Sequence, residues 1–394
     1  MDTAAALRAA EELVAALKAN QNPSPGQHLE LLKLSGKVTA ALEQPYDIVT
    51  KFVEYTSTTG ALYTLYHLGA WDKIPVGSII TASELASALN IDISAVQRLL
   101  RVAAVSGFFS EPEPDTYTHN ELSLIFGPQA LGGVFLVSSD FGKSFFSLPD
   151  YFKSHKPEDL YDLKKSPFAY ALGKEGKTYY DVIDEDVEMR GIWNSTLAAM
   201  EKNMPIWGMF PWETLKEQVE KEPERPFVVD IGGGKGQALV KLQQEIPGAF
   251  GGKLVLQDLP SVIDTLKEDE VPGIEKMVYD AFTPQPVKNA HVYFMRRFLH
   301  DFYNDVCIQF VKNTAQAMGP DSRLIITDML IPEKVEVGQL KDLYWLDFNL
   351  MSMSGKEKTL KEFNEIFDAA GLELVKVWPS GIGATVQIEA RLKR

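Results

Sequence analysis

The sequence contains a candidate general base, His300, and two acids that follow it along the chain, Asp328 and Glu357. An imidazole takes up a proton near neutral pH, and a carboxylate beside it fixes its tautomer and stabilises the imidazolium. Such a set predicts a reaction in which a substrate hydroxyl loses its proton. His300 taken alone has a structural alternative, in which it caps the helix that follows. The two acids favour the catalytic interpretation, provided that the fold brings all three side chains together.

Alternating strands and helices from Phe227 onward predict a fold that would do so. This alternation is typical of a doubly wound parallel sheet, whose ligands bind at the carboxyl ends of the strands. His300 follows the fourth strand of this region, and Asp328 ends the fifth. The last two segments are expected to form a hairpin, so that the final strand runs antiparallel to the others. The seven predicted strands are 227–231, 253–257, 276–279, 292–295, 324–327, 372–378 and 385–392.

The first of these strands runs into a glycine turn that is suited to a nucleoside. Gly232, Gly234 and Gly236 have the spacing G-x-G-x-G, whereas a dinucleotide site has G-x-G-x-x-G. Glycine lets the backbone turn tightly and lets a ligand approach where a Cβ would block it. Asp258 ends the second strand, where a carboxylate can accept hydrogen bonds from both ribose hydroxyls, and Asp280 can meet an adenine amino group. We therefore predict S-adenosylmethionine (SAM), which carries adenosine without a pyrophosphate, as the cofactor.

SAM gives His300 a defined task. Methyl transfer from a sulfonium is an in-line displacement, and the attacking oxygen must lose its proton. A phenol has a pKa near 10 and an imidazole one of about 6.5, so complete prior proton transfer would cost roughly 5 kcal/mol. Removal of the proton in step with the attack avoids part of that cost and contributes about 10²–10⁴ in rate. The sequence thus predicts methyl transfer, with Asp328 and Glu357 orienting the base.

Residues 46–125 predict a separate module of helices followed by a hairpin. Capping boxes are predicted to begin at Thr81 and Ser94, each opening a helix. Two helices followed by a hairpin are the winged-helix arrangement, which is related to DNA-binding modules. The second helix offers only Arg98 and Arg101 as cations, and the wing sequence EPEPD would repel phosphate. A dimerisation or scaffold role is therefore predicted, without nucleic acid as a partner.

The composition sets further limits. The 394 residues are 45% hydrophobic and 24% charged with a net charge of −15, as in an acidic globular protein. The single cysteine, Cys307, excludes an intrachain disulfide and is expected to be a small buried residue on a helix. No stretch approaches the ~20 apolar residues of a membrane span, and the first 20 residues lack a signal-peptide pattern. We predict a cytoplasmic protein with no membrane partner.

The motifs together resemble the plant and fungal O-methyltransferases of the caffeate type. The resemblance runs from about residue 50 to the C-terminus. It is carried by residues 229–236 (VDIGGGKG), 256–260 (LQDLP), 294–302, 355–359 (GKEKT) and 166–170 (SPFAY) with Gly173. It implies a Rossmann-like α/β methyltransferase domain behind a mostly α-helical winged-helix domain. The expected division is a helical arm and winged-helix domain at 1–125, a helical connector with the acceptor pocket at 126–220, and the SAM domain at 221–394.

The resemblance also implies roles for particular residues. The winged-helix domain would form a homodimer, and the arm of each partner would help close the other's active site. His300 would be the base, held by Asp328 and Glu357. Arg296 stands where the family usually has a lysine near the cofactor. The predicted cofactor contacts are Asp230, Gly232, Gly233, Gly234, Asp258, Leu259, Asp280, Ala281, Phe282 and Arg296; the predicted acceptor contacts are Trp193, Met200, Asp301, Phe302 and Met351.

Two departures from the family pattern bear on the small-molecule acceptor. Phe302 replaces the usual tryptophan, and a predicted loop at 349–354 (NLMSMS) is rich in methionine where plant members have an asparagine that contacts the acceptor. An apolar pocket would suit a larger acceptor, such as a fungal-type polyketide or alkaloid. Histidines and cysteines show no metal-ligand spacing, so no metal is predicted.

One alternative function stays open at this point. Some fungal proteins of this fold bind SAM but catalyse pericyclic or dehydration chemistry on polyketide–pyridone intermediates. Such relatives typically lack the base histidine, and His300 is present here. The sequence therefore favours methyl transfer over the pericyclase or dehydratase alternative.

Overall fold

The computed structural model describes residues 2–128, 130–187, 189–193, 196, 206–335, 341–381 and 383–394. The chain divides into two compact units. The first comprises Met1–Pro149, Ala171–Lys174 and Tyr179–Asn203, and the second comprises Asp150–Tyr170, Glu175–Thr178 and Met204–Arg394. The boundaries expected near residues 125 and 220 stay a prediction. None of the described helices is long and apolar enough to cross a membrane.

The first unit is helical with a small antiparallel sheet of order β1-β3-β2. Its apolar core is built around Leu65, Trp71, Leu100 and Tyr117, all of them buried. The strands are β1 (Ile80–Thr81), β2 (Phe109–Ser110) and β3 (Thr116–His119). The helices that begin in this unit are Thr3–Ala19, Pro25–Leu42, Pro45–His67, Ala70–Lys73, Ala82–Leu89, Ile93–Val105, Glu121–Ile125, Leu131–Ser154 and Tyr179–Asp184.

The predicted winged helix is confirmed, with one correction at its second helix. Thr81 forms the expected capping box, because its hydroxyl accepts from Glu84 N (3.1 Å) while Glu84 accepts from Thr81 N (2.8 Å). The capping box predicted at Ser94 is wrong. The helix begins at Ile93, and the Asp92 carboxylate caps it by accepting from Ser94 N at 2.9 Å. Aspartate and serine are about equally good N-caps, and here the aspartate is the one that directly precedes Ile93, the first apolar position of the helix.

The second unit is built on the predicted sheet, in the order β10-β11-β8-β7-β4-β5-β6. All neighbouring pairs are parallel except those that β11 makes with β8 and β10, so the terminal hairpin is confirmed. The strands are β4 (Pro226–Ile231), β5 (Lys253–Asp258), β6 (Glu275–Val278), β7 (Val292–Arg296), β8 (Arg323–Ile331), β10 (Leu372–Pro379) and β11 (Thr385–Leu392). An eighth strand, β9 (Lys358–Thr359), pairs with β8; its two residues are too few to show a period in the sequence.

Apolar side chains cover both faces of this sheet, as a parallel sheet requires. One core cluster includes Tyr293, Ile326 and Phe363, and the other includes Phe227, Leu239 and Phe294. The helices are Pro167–Ala171, Lys216–Lys221, Gln237–Glu245, Pro260–Ile263, Asn304–Ala315, Asp342–Ser352 and Leu360–Ala370. Cys307 is buried on one of them, as predicted.

The segment predicted as a loop at 349–354 is mostly helical. Residues 349–352 form the last turn of the helix Asp342–Ser352, and only Met353 and Ser354 follow it. Leu343, Leu346 and Leu350 are buried at helical spacing, which decides the structure locally. The methionines therefore lie at a helix end and not on a long loop.

Candidate active site

The glycine turn leaves β4 through backbone conformations that favour glycine. Gly232, Gly234 and Gly236 have φ values of 68°, 57° and 76°. A Cβ on Gly232 would lie 2.5 Å from the Phe298 ring, and one on Gly236 would lie 2.7 Å from Val271. Both distances are too short for real contacts, so side chains are excluded on steric as well as conformational grounds.

Asp258, at the end of β5, fastens the turn from the neighbouring strand. One carboxylate oxygen accepts from Gly234 N at 2.8 Å and the other from Leu259 N at 2.7 Å. Burial raises the pKa of Asp258, and these two backbone hydrogen bonds oppose the rise. Each oxygen keeps acceptor capacity for a further donor, as a ribose diol would require.

The ends of β5 and β6 also expose apolar side chains beside the two acids. Leu259 is 48% exposed and Phe282 is 47% exposed. Asp280 is exposed as well, and its Oδ1 accepts from Phe282 N at 3.0 Å. The next residue, Ala281, is held through its carbonyl, which accepts from Asn313 Nδ2 at 2.8 Å. Exposed apolar groups flanking carboxylates suit a planar, partly polar base such as adenine.

Asp230, near the end of β4, is a buried carboxylate without a hydrogen-bond partner. It is 1% exposed, and neither of its carboxylate oxygens has a hydrogen-bond partner. Burial raises its pKa to about 7, although the Arg296 charge at the end of β7 opposes the rise. A Cβ on Gly233 would lie 2.5 Å from Asp230 Oδ2, so only a glycine lets the turn pass this close to the carboxylate. An orphaned buried carboxylate is costly unless a bound group satisfies it. The residues present therefore fit SAM, which carries an ammonium group.

The three predicted catalytic side chains meet beside β7 and β8. Asp328 does not end its strand as predicted, because β8 continues to Ile331. His300 lies on a 3₁₀ turn, Leu299–Asp301, and its Nδ1 lies 3.1 Å from Glu357 Oε1. Its Nε2 lies 3.4 Å from Asp301 Oδ1. His300, Asp328 and Glu357 are all at most 5% exposed. Asp328 Oδ1 and Glu357 Oε2 are buried without hydrogen-bond partners.

Burial sets the protonation of this cluster. It lowers the pKa of His300 to about 4, so the imidazole is neutral at physiological pH. It raises the pKa of Asp328 and that of Glu357 to about 7. When Glu357 is ionised it accepts the proton on His300 Nδ1, which leaves Nε2 as the basic nitrogen. The arrangement can therefore remove a proton from a group placed at Nε2.

The same three residues have a spacing that a metal ion could also use. One ligand-type atom from each lies within 4.8 Å of the others. The charges of Arg297 and Lys358 act on His300, Asp328 and Glu357 and already supply positive charge there. This weighs against a cation as a further occupant. The expectation that no metal takes part stays a prediction.

The backbone of the 355–358 segment holds the turn that carries His300, a role that the sequence analysis missed. Lys356 N donates to the His300 carbonyl at 2.7 Å, and a Cβ on Gly355 would lie 2.7 Å from that same oxygen. Glu357 is fixed in turn, because its N–H donates to Asp347 Oδ1 at 2.9 Å. Only the motif G-K-E-K-T hinted at these contacts, since side-chain chemistry does not reveal backbone hydrogen bonds.

The predicted acceptor contacts are not all brought together. Asp301 lies beside His300, and Phe302 packs edge-to-face on Phe310 with ring centroids 5.0 Å apart. Met351 is half-buried near the end of its helix. Trp193 belongs to the first unit, where its ring lies 5.4 Å from that of Tyr179. Met200 lies outside the described residues.

A glycine turn, a strand-end carboxylate that fastens it and an exposed apolar and acidic rim define the site of a SAM-dependent methyltransferase. Comparison with known families gives the same class. The O-methyltransferase domain family matches residues 148–373, and the O-methyltransferase dimerisation domain family matches residues 51–127. The chain belongs to this O-methyltransferase family.

Individual relatives match this chain over nearly its whole length. The O-methyltransferase hmp5 of Hypomyces subiculosus is 39% identical, over 98% of this chain and 97% of its own. The crystal structure of OxaC in complex with SAH and oxaline matches with a TM-score of 0.84 and 27% identity, covering 100% of both chains. The structure of LepI in complex with SAM matches with a TM-score of 0.79 and 25% identity, covering 98% of both. The protein is a SAM-dependent O-methyltransferase.

Proposed function

We propose that the enzyme methylates a phenolic or enolic hydroxyl of a polyketide or alkaloid, with His300 as general base. The observation that carries this proposal is the buried 3.1 Å contact between His300 Nδ1 and Glu357, at the strand ends beside the glycine turn. That contact leaves Nε2 as the basic nitrogen, in the crevice where ligands bind in open α/β sheets.

The cofactor would be held by the residues around the turn. Asp258 would accept from the ribose hydroxyls, Asp280 would meet the adenine amino group, and Leu259 and Phe282 would flank the base. The orphaned Asp230 carboxylate would accept from a cofactor donor group. SAM, when bound, supplies an electrophilic methyl group.

The protein's own part in the reaction is to move one proton. The acceptor hydroxyl would donate its hydrogen bond to His300 Nε2, and the proton would pass to that nitrogen as the oxygen attacks. The His300 pKa of about 4 leaves a gap of roughly 6 units to a phenol, so prior proton transfer would cost roughly 8 kcal/mol. Transfer in step with the attack, with an ionised Glu357 stabilising the imidazolium, removes the need for that intermediate.

Two structural relatives support different chemistry. The structure of OxaC, a neighbour over the full chain, contains SAH and oxaline. A second candidate function is a pericyclic reaction with SAM as an accessory, because another solved structure, with a TM-score of 0.79 and 25% identity, is described as a pericyclic reaction enzyme. The buried His300–Glu357 contact favours the first candidate, since a pericyclic reaction needs no base.

Acceptor preference gives a direct test of the substrate class. With SAM saturating, we expect kcat/KM for phenolic polyketides to exceed that for simple phenylpropanoids by at least tenfold. The physical reason is the half-buried Met351 at the end of its helix, which would offer more apolar contact to a larger acceptor. Turnover would be measured as the initial rate of SAH release, with one SAH expected for each methylated product. A preference for caffeate-sized phenols would contradict this part of the proposal.

We also propose that the protein works as a homodimer through its first unit. The helix Pro45–His67 buries residues only in its second half, from Ala61 onward. Its first half exposes large apolar side chains, including Phe52 (68%) and Tyr55 (68%). A continuous exposed apolar face is typical of an interface. The matched dimerisation family model covers residues 51–127.

The dimer proposal predicts the effect of a charged substitution on that face. Phe52→Asp should convert a dimer into a monomer, as measured by light scattering, because a buried unpaired charge is costly at an interface. Val375→Asp, at a 45% exposed position of β10, serves as the control and should leave the mass unchanged. A monomeric wild-type protein would contradict the proposal.

We also propose that the protein is cytoplasmic and has no nucleic-acid partner. Its buried Cys307 thiol is in keeping with a reducing compartment, and its net negative charge would disfavour binding to phosphate. Cell fractionation would test the location.

A further inference from the structure

Lys358 is a fully buried lysine that the reaction described above does not use. Its side chain is 1% exposed, although lysine is almost never buried unless its charge is satisfied. Its Nζ donates to three backbone carbonyls, those of Leu299 (2.8 Å), Phe302 (3.0 Å) and Lys356 (3.0 Å). An ammonium has three donors, so all of them are used.

The positions of these carbonyls make the contact informative. Leu299 begins the 3₁₀ turn that carries His300, and Phe302 directly follows the turn. The Cys307 thiol lies against the same two carbonyls, with Sγ 3.3 Å from Leu299 O and 3.5 Å from Phe302 O. The Lys358 ammonium therefore holds both ends of the turn that carries His300. It also joins that turn to β9, the strand that begins directly after Glu357.

The charge of Lys358 acts on the same group of residues. Burial raises the pKa of Asp328 and of Glu357, and the Lys358 ammonium opposes the rise at both carboxyls. A buried charge that favours the ionised Glu357 also favours the hydrogen bond from His300 Nδ1. Geometry and charge therefore act in the same direction on the base.

We propose that Lys358 is a positioning residue for methyl transfer, which fixes the His300 turn through its two flanking carbonyls and favours the carboxylate form of Glu357. This inference rests on the proposed role of His300 as the base. Lys358 does not act on the acceptor or the cofactor itself, because all three donors of its ammonium group are bound to backbone carbonyls.

The test is a kinetic comparison of Lys358→Met and Lys358→Arg in the full-length enzyme. We expect Lys358→Met to lower kcat by about 10- to 100-fold, while the Kd for SAM changes less than threefold, since catalytic orientation is sensitive to small displacements. Lys358→Arg keeps the charge and should recover most of the lost kcat. The control is Arg323→Met, which removes a cation that is largely buried beside Glu389 at the amino end of β8 and should leave kcat unchanged.

A double mutant separates this inference from the proposed function. If Lys358 acts through His300, adding Lys358→Met to His300→Ala should cost less than threefold further in kcat, because the two changes remove one function. A normal kcat in Lys358→Met beside a large loss in His300→Ala would overturn the inference alone. A normal kcat in His300→Ala would overturn the base itself. Should Lys358→Met not fold, Lys358→Gln decides: a loss of at least tenfold with SAM binding intact supports the inference, and an unchanged kcat overturns it.

Discussion

Replacing His300 with alanine is expected to lower kcat by about 10²–10⁴-fold, the usual contribution of a positioned general base. The Kd for SAM should change less than threefold, because the glycine turn and Asp258 do not contact His300 in the structure. Initial rates of SAH release and calorimetric titration with SAM measure the two quantities. Unchanged methylation in this variant would contradict the role of His300.

The pH dependence of the same two proteins gives an independent check. The pKa of Glu357 is raised to about 7 by burial, so its carboxylate is lost as the pH falls through 7. We therefore expect wild-type kcat to fall below pH 7, well before His300, with a pKa of about 4, takes up a proton. The residual rate of His300→Ala should instead rise with pH toward the acceptor's own pKa, about 10 for a phenol.

Removal of metal ions tests the expectation that no metal takes part. Dialysis of the wild-type enzyme against a chelator should leave its turnover unchanged.

A single methyl group added to the glycine turn is expected to weaken SAM binding strongly. In Gly232→Ala the new Cβ would lie 2.5 Å from the Phe298 ring, at a φ of 68° that L-residues rarely adopt. Strain of about 1–2 kcal/mol and overpacking of about 1–3 kcal/mol can be relieved only by moving the turn. We expect the Kd for SAM to rise about 100-fold, as measured by calorimetry.

Gly371→Ala is the matched control for this substitution. Gly371 has a similar φ of 76°, but a Cβ there would meet nothing within 4 Å. Its substitution should lower the melting temperature slightly and leave SAM affinity unchanged. Equal losses of SAM affinity in both variants would show that global stability, and not the shape of the turn, is responsible.

The sequence predicted the sheet well because its signals are local. Buried strands such as β4 and β7 are mostly apolar, and the glycines that follow β4 have a spacing that few other structures require. His300 follows β7, and Asp328 lies in the adjacent parallel strand β8, so the topology places both in the same part of the sheet. Glu357 directly precedes β9, a strand too short to show in the sequence, so its contact with His300 becomes visible only in the fold.

Other parts of the site depend on tertiary contacts that no local pattern reveals. Lys358 has the residue type of a solvated surface position, and only the fold shows that it lies in the core. The loop expected at 349–354 is a different case, because the spacing of Leu343, Leu346 and Leu350 already carries the helix into that segment. The low pKa of His300 follows from burial, which depends on segments distant in sequence that pack around it.

The most direct test of methyl transfer uses SAM labelled with ¹³C at its methyl group and a panel of phenolic and enolic polyketides. The proposed function predicts a ¹³C-methoxyl group on the product and one SAH released for each product molecule. Conversion of an acceptor to an isomerised or dehydrated product, with SAM unconsumed and no label transferred, would contradict it.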